Sequence, residues 1–137
     1  MTDMSYRDAA RSLCPITCSL DLLGDRWTLV ILRDVLLAGR RSFSEMARPE
    51  GIATNTLTDR LERLEAAGVL RRDRDPNDGR RRVYNPTEKG LALIPLLLEF
   101  AVWGIDHTEG TAHRELAEAA RADRDGVVAQ LTERARA

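Results

Sequence analysis

The 137-residue sequence predicts an α+β fold that is mainly helical, and three observations support this prediction. Apolar residues recur at helical spacing before Gly68 and again after Thr87. Between these regions, Val69–Arg74 and Arg81–Asn85 are predicted to be two short strands. Asp75–Gly79 (DPNDG) separates the strands and consists of turn-forming residues. The chain is therefore predicted to contain a single hairpin among helices.

The composition narrows the class of protein. A hydrophobic share of 43% over this length is enough to bury a core without disulfide or metal staples. Met1–Leu13 is polar and charged, unlike a signal peptide. The longest apolar run, Leu91–Leu98, contains Pro95 and is too short to span a bilayer. We therefore expect a cytoplasmic protein with no membrane partner.

The region before residue 40 is predicted to form helices that support the helices and hairpin that follow. Met1–Arg11 is expected to be a loose or partly helical lead-in. Pro15 suits the first position of a helix that ends before Gly24. Asp25 is a candidate N-cap for a second, strongly apolar helix, Arg26–Ala38. The residues expected to be buried on one face of the first helix are Ile16, Leu20 and Leu23.

Two further helices precede the hairpin. Ser42 and Glu45 have the spacing of a capping box, which predicts a short helix. The next helix is predicted over about Ala53–Ala67. If Ala53 is its cap, Ile52 and Leu57 occupy the hydrophobic staple positions, and we favour that register although Thr54 is the alternative cap. The residues predicted to form its buried side are Leu57, Leu61 and Leu64.

After the hairpin, two long helices are expected. Thr87 is a candidate cap for a helix that runs to about Thr108. Pro95 should kink this helix, because its nitrogen cannot donate a hydrogen bond to Leu91. Arg114–Arg134 is predicted to be a weaker amphipathic helix.

Helix, turn, helix and hairpin in this order are the plan of a winged helix. A recognition helix needs short side chains, so that its backbone can enter the major groove, and groups that hydrogen-bond to base edges. The alternative is an amphipathic helix whose polar side is merely solvated. The candidate DNA contacts in the two helices are Ser42, Thr54, Asn55, Thr56, Thr58, Asp59, Arg60 and Arg63.

The hairpin concentrates positive charge in a chain whose net charge is −1. The arginines that are candidates to contact a phosphate backbone or to enter the minor groove are Arg80, Arg81 and Arg82, with Arg71, Arg72 and Arg74 on the opposing strand. Because side chains alternate along a strand, not all six are expected to point the same way. The alternative is a solvated charged face in which neighbouring aspartates pair with the arginines. Asp78 in particular is expected to orient Arg80 internally.

Three motifs of the sequence resemble those of a known family. The patterns CPITCSLDLLGDRW, LTDRLERLEAAGVL and TEKG are similar to those of HxlR-type transcriptional regulators, relatives of the MarR family, over about Cys14–Gly104. The resemblance implies a homodimeric winged-helix regulator of inverted-repeat operators whose terminal helices build the dimer. It divides the chain into a DNA-binding core, 12–86, and a helical dimerisation region, 87–137, to which 1–24 contributes. We expect a repressor that blocks polymerase access.

The resemblance also makes Cys14 a candidate redox sensor, because it matches a cysteine that senses oxidants or electrophiles in some members. A thiol at a helix N-terminus has a lowered pKa, which favours reactivity. The alternative is a small buried hydrophobe in the dimer interface. Cys14 and Cys18 lie far from both histidines, so neither a zinc site nor another cofactor is expected.

Three aromatic residues, Trp27, Phe100 and Trp103, are candidates to line the pocket of a small-molecule effector. Ordinary core packing is the alternative. The sequence contains no Ser–His–Asp set, phosphate loop or metal cluster, so we do not expect an enzyme. A winged-helix protein-interaction module without DNA binding remains the alternative function.

Overall fold

The computed structural model describes residues 13–137, so the predicted lead-in Met1–Arg11 lies outside the described residues. The helices are α1 (Pro15–Leu23), α2 (Arg26–Arg33), α3 (Phe43–Ala47), α4 (Thr54–Ala66), α5 (Glu88–Leu91), α6 (Ile94–His107), α7 (Arg114–Ala122) and α8 (Arg124–Arg136). The strands are β1 (Leu70–Asp75) and β2 (Asp78–Pro86), which pair antiparallel. The prediction of a mainly helical α+β fold with one hairpin is confirmed.

The winged helix consists of α2, α3, α4 and the hairpin, and the later helices pack against it. Its core is a single apolar cluster. The largest fully buried side chains in this cluster are Ile31, Leu32, Val35, Leu36, Met46, Leu57, Leu61, Leu64, Val69, Leu70, Ile94 and Leu98. All three leucines predicted for the buried side of α4 are among them, which fixes the face that α4 presents outward.

The start of α2 agrees with the prediction from the sequence, but its end does not. The Asp25 carboxylate accepts a hydrogen bond from the Thr28 amide at 3.0 Å, as expected for an N-cap. From Asp34 to Ala38 the helix widens into a π-helical turn, which ends at Gly39 with a φ of 72°. The buried Asp34 carboxylate there accepts hydrogen bonds from Arg33 and Arg40. Periodicity predicted the extent of this helical segment but not the wider turn.

The prediction that α1 buries one face is wrong for most of that face. Leu23 is buried, whereas the side chains of Ile16 and Leu20 are 70% and 56% exposed. Apolar spacing shows that residues share a face, but not whether the same chain supplies a partner for it. Within residues 13–137, no element covers the part of that face formed by Ile16 and Leu20.

The helix α4 begins in the favoured register, with Ala53 as its N-cap. Alanine supplies no capping hydrogen bond, and Ile52 and Leu57 at the staple positions are both buried. Gly68, with a φ of 75°, ends the helix. Apolar packing therefore takes the place of a polar cap at the end of α4 that carries Thr54 and Asn55.

The hairpin β1–β2, which is the wing of the winged helix, has a tighter turn and longer strands than predicted. Only Pro76 and Asn77 form the turn, and β2 already begins at Asp78. The register shifts after Arg74, so that Gly79–Arg81 forms a bulge in β2. The backbone at Ser42 pairs with Val83, which attaches the wing to the start of α3.

The two C-terminal helices predicted as continuous are each divided. The first breaks between α5 and α6, with Pro95 in the first turn of α6, because proline cannot continue the hydrogen bonding of α5. The second breaks at Asp123, whose side chain accepts a hydrogen bond from the Gly126 amide and thereby caps α8. At the far end of α8, Arg41 donates a hydrogen bond to the carbonyl of Ala135 at 2.8 Å.

The segment Glu88–His107 corrects the expectation that every apolar run is too short for a membrane. Its 20 residues, with a mean hydropathy of 1.4, are long and apolar enough to cross a bilayer by length and composition alone. Core helices of soluble proteins pass the same test. In α6, Ile94, Leu97 and Leu98 are buried in the core. The large apolar side chains of α6 that remain exposed are Leu96, Phe100 and Trp103.

Candidate nucleic-acid interface

The outward face of α4 carries most of the predicted base-reading residues. Because Leu57, Leu61 and Leu64 hold the opposite side in the core, the polar side chains between them project away from the protein. The exposed members of the predicted set are Thr54, Asn55, Thr58, Asp59 and Arg63, and Thr56 is half-buried. The structure thus brings these residues together on one helix face.

Arg60 differs from the other predicted contacts on α4. Its Nε lies 2.8 Å from Oδ2 of Asp25, and one terminal nitrogen lies 3.2 Å from Oδ1 of the same carboxylate. The other terminal nitrogen donates to Asp59 at 2.7 Å. The guanidinium is therefore engaged within the protein on both sides.

The position of Arg60 could have been recognised from the sequence. It lies three residues after Leu57 and four before Leu64, and side chains at these spacings share one side of a helix. This places Arg60 at the edge of the buried stripe, beside the start of α2, and not on the outward face.

Ser42 has a structural role. The residue is only 1% exposed, its hydroxyl accepts from the Glu45 amide, and the Glu45 carboxylate accepts from the Ser42 amide and hydroxyl. Hydrogen bonds from the backbone amides of Arg41 and Ser42 lower the pKa of Glu45, which keeps the capping box charged. The prediction of a DNA-contacting hydroxyl at Ser42 is therefore replaced by a capping role, and the exposed hydroxyl of α3 is Ser44.

The wing separates its arginines onto two faces, because side chains alternate along each strand. On the first face, Arg71 pairs with Asp73 at 2.8 Å and Arg81 pairs with Asp75 at 3.0 Å. The pKa of Asp73 is lowered by hydrogen bonds from Asn85 and Arg71. This face is largely neutralised by its own carboxylates, and we call it the paired face.

The other face retains its positive charge. Arg74 and Arg82 are directly opposite each other in the register, and Arg72 shares their side of β1. Within residues 13–137, neither Arg74 nor Arg82 lies within 4.0 Å of a carboxylate, and Arg72 approaches only Glu65 of α4, at 3.8 Å. We call Arg72, Arg74 and Arg82 the arginine face. The expectation that strand alternation divides the six arginines between two faces agrees with this register, which separates Arg81 from Arg82.

Arg80 lies at the bulge beside the turn, and its side chain is 98% exposed. Its Nε is 4.0 Å from the Asp78 carboxylate, the limit for an ion pair. Asp78 also accepts a hydrogen bond from the Arg80 backbone amide at 3.1 Å. The expected pair of Asp78 with Arg80 is therefore present, as a long ion pair and a backbone hydrogen bond, while the Arg80 side chain stays exposed.

Comparison with known proteins agrees with this geometry. The HxlR-like helix-turn-helix family matches residues 22–112. An uncharacterized HTH-type transcriptional regulator of Synechocystis is 34% identical over 97 residues, 71% of this chain and 72% of that protein. The chain belongs to the HxlR-like family. It is a transcription regulator of the helix-turn-helix type, from a family of DNA-binding regulators and not of enzymes.

Two solved structures extend the comparison. PA1607, described as a candidate transcription factor, superposes with a TM-score of 0.68 and 33% identity, covering 79% of this chain and 72% of PA1607. The oxidized form of the redox regulator HypR gives a TM-score of 0.62 and 28% identity, covering 71% of this chain and all of HypR. The fold of this chain is therefore that of winged-helix transcription factors.

Cys14 lies immediately before α1, outside the elements predicted to contact DNA. The residue is exposed and occupies the N-cap position. Its side chain makes no capping hydrogen bond, but the nearby backbone amides of Thr17 and Ile16 at the start of α1 lower the pKa of its thiol. Cys18 is also exposed but lies one turn inside the helix. Cys14 is therefore an exposed thiol with a lowered pKa, and its role as a sensor stays a prediction.

The three aromatic residues predicted to line one effector pocket lie in different environments. Phe100 lines a cavity of about 490 Å³ with residues of α1 and α2, but the lining of this cavity includes neither Trp27 nor Trp103. Trp27 packs against the core, and Trp103 is 60% exposed and contacts the His107 ring. Of the three, Phe100 therefore lines this cavity and the two tryptophans do not.

The hydrogen bonds to Asp25 predict a specific loss of stability in acid. The Arg60 guanidinium, with the Thr28 amide, holds the pKa of Asp25 well below its usual value of about 3.9. A depressed folded-state pKa stabilises the fold above the unfolded-state pKa, and this stabilisation is lost as pH falls toward the folded-state value. Asp25→Asn should lower the free energy of unfolding by about 2 kcal/mol at pH 6.

The measurement is urea unfolding of the parent and Asp25→Asn between pH 6 and pH 2. The difference in unfolding free energy should stay constant down to about pH 5 and shrink below about pH 4. Comparing the two proteins removes the contributions of Glu45 and Asp73, whose pKa values are also lowered. A difference that does not change with pH would contradict the assignment.

Proposed function

We propose that this protein is a cytoplasmic, homodimeric repressor that binds an inverted-repeat operator and blocks access of RNA polymerase. The observation that carries the proposal is the exposed polar face of α4 with the arginine face of the wing beside it. Arg72 of the arginine face lies 3.8 Å from Glu65, near the C-terminal end of α4. Together the two surfaces supply hydrogen-bonding groups for bases and charge for phosphates, the two requirements of specific DNA binding.

The two surfaces have different tasks in this proposal. The N-terminal half of α4 enters the major groove, where Asn55 can pair with adenine and Arg63 with guanine. The arginine face and Arg80 contact phosphates of the flanking backbone, which raises affinity for every sequence. Base specificity therefore depends on α4, and most of the affinity depends on the wing.

A second copy of the chain is the proposed partner for the exposed apolar residues of α1 and α6. The side chains on this face are Ile16, Leu20, Leu96, Phe100 and Trp103. Four of them line the same 490 Å³ cavity, so the two helices form one continuous surface. A continuous apolar surface of this kind marks an interaction site. The proposal assigns 12–86 to DNA binding and 87–137, with 1–24, to dimerisation.

Two signals are candidates to regulate the repressor. Cys14 offers an exposed thiol with a lowered pKa, and the similarity to the redox regulator HypR supports a redox role. The cavity beside Phe100 offers a largely apolar site for a small-molecule effector. Both lie at the proposed dimer surface, so either signal would act by changing the distance between the two recognition helices.

Selection of bound sequences from a random duplex pool tests the proposed function directly. We expect enrichment of an inverted repeat whose half-sites are about one helical turn apart. If no duplex is enriched and binding is absent at low salt, DNA binding is overturned. The alternative of a protein-interaction module would then account for the fold.

The two faces of the wing predict opposite outcomes for adjacent arginines. Arg82→Ala should weaken binding to all sequences and reduce the magnitude of the salt slope by about one. The reason is that the change removes a phosphate contact made by an arginine whose charge no carboxylate offsets. Arg81→Ala is the matched control. The Arg81 charge is already offset by Asp75 at 3.0 Å, so its slope should stay close to that of the parent.

Fluorescence anisotropy titrations between about 50 and 200 mM salt measure both affinity and slope. Equal slopes for the two variants, both reduced relative to the parent, would contradict the division into an arginine face and a paired face. Asn55→Ala in the same assay should relax base preference and leave the slope unchanged.

Phe100→Glu should convert the dimer into a monomer, because it places a charge within the apolar surface shared by α1 and α6. DNA affinity should fall with dimerisation, since a monomer contacts one half-site. Gln130→Glu on α8 adds the same charge at an exposed position and serves as the control. Sedimentation equilibrium measures both variants, and a Phe100→Glu protein that remains dimeric contradicts the proposed interface.

Cys14 should be alkylated faster than Cys18, because its lowered pKa raises the thiolate fraction at neutral pH. Cys14→Ser and Cys18→Ser each leave one thiol, so the iodoacetamide reaction of each variant reports the other cysteine. Diamide should change the operator affinity of the parent and of Cys18→Ser, but not that of Cys14→Ser. Unchanged affinity of the oxidised parent would remove Cys14 as the sensor.

A further inference from the structure

Three charged side chains form a chain of contacts from the start of α2 to the outward face of α4. Asp25 accepts two hydrogen bonds from the Arg60 guanidinium, at 2.8 and 3.2 Å. The remaining terminal nitrogen of Arg60 donates to the Asp59 carboxylate at 2.7 Å. One carboxylate therefore lies between the helices, and the other lies on the face that the proposed function directs at the bases.

The contact at Asp25 fixes an orientation and is more than a charge pairing. Its Oδ2 also accepts from the Thr28 amide, at 3.0 Å, and from the Thr28 hydroxyl, at 3.2 Å. The carboxylate is thus held by the cap of α2 while it receives Arg60 through two parallel hydrogen bonds. A two-point contact of this kind restricts rotation as well as distance, so α4 cannot turn about its axis without breaking it.

Because Arg60 is held by Asp25, its hydrogen bond to Asp59 also restricts the orientation of the Asp59 side chain on the outward face. The Asp59 side chain is 55% exposed, and the hydrogen bond from Arg60 reaches only its Oδ2. Its other carboxylate oxygen stays available as an acceptor. In the major groove, an aspartate acceptor matches the N4 amino group of cytosine.

We propose that Asp59 reads a cytosine amino group in the operator and that Asp25 and Arg60 are positioning residues for it. The proposal rests on the DNA-binding function proposed above. In this proposal Arg60 makes no phosphate contact, because its Nε and both terminal nitrogens already donate to Asp25 and Asp59. Asp25, which lies outside the recognition helix, thereby determines specificity at the position that Asp59 reads.

A phosphate-contacting Arg60 would give the opposite results. Loss of Arg60 would then reduce the salt slope by about one, as for a wing arginine. Removal of the Asp25 charge would free Arg60 for the backbone and strengthen binding. The two arrangements are therefore separable by the sign of the Asp25 effect and by the salt slope.

The experiment compares Asp25→Asn, Arg60→Lys, Arg60→Ala and Asp59→Ala on the selected operator and on duplexes with single base-pair changes. Asparagine also caps helices well, so Asp25→Asn removes the charge and keeps the start of α2. Arg60→Lys keeps the charge but loses the two-point contact. Circular dichroism melting establishes that each variant is folded before binding is measured.

We expect Asp59→Ala to reduce discrimination at one G·C base pair by roughly tenfold. Asp25→Asn, Arg60→Lys and Arg60→Ala should reduce discrimination at the same base pair, with salt slopes equal to that of the parent. Arg82→Ala is the control that lowers the slope and leaves base preference unchanged. Asp25→Asn combined with Arg60→Ala should lose no more discrimination than either change alone.

Three results would overturn the inference while the parent still binds its operator. They are stronger binding by Asp25→Asn, a reduced slope for Arg60→Ala, and loss of discrimination by Asp59→Ala at a base pair that Asp25→Asn leaves unaffected. A parent that binds no duplex overturns the proposed function, and this inference with it.

Discussion

The burial of one leucine stripe determines most of this structure. Leu57, Leu61 and Leu64 lie against the core built on α2, and their burial makes α4 both stable and one-sided. Because α4 has no side-chain hydrogen bond at its N-cap, packing takes the place of capping at the end that carries Thr54 and Asn55. Apolar contacts alone tolerate small rotations, since they are not directional. The two-point contact of Arg60 with Asp25 adds the direction that the leucines lack.

The wing shows how a chain with a net charge of −1 presents a cationic surface. Strand alternation separates the arginines, and carboxylates are placed on only one side, where Asp73 and Asp75 pair with Arg71 and Arg81. The opposite side keeps its charge. Exposed ion pairs contribute little to stability, so the main effect of the aspartates is to decide which arginines remain available to a partner.

Local signals in the sequence were enough for the order of elements, the caps at Asp25 and Ser42 and the Ala53 register, because each depends on neighbouring residues. The π-helical turn after Arg33 had no such signal. The predicted roles of Ser42 and Arg60 changed because residue type does not reveal burial. Leucine spacing placed Arg60 at the edge of the buried stripe, whereas its partner Asp25, 35 positions away, required the fold.

The exposure of α1 and α6 has a related cause, since a sequence does not show which chain covers an apolar face. Glu88–His107 is apolar enough for a bilayer, but a helix that crosses a bilayer alone is apolar around its circumference. In α6, Ile94 and Leu98 are already buried in the core, and Glu99 pairs with Arg124 of α8 at 2.7 Å. What remains is one stripe that continues onto α1. A two-helix surface of this shape suits another folded protein surface better than lipid, which supports a second copy as its partner.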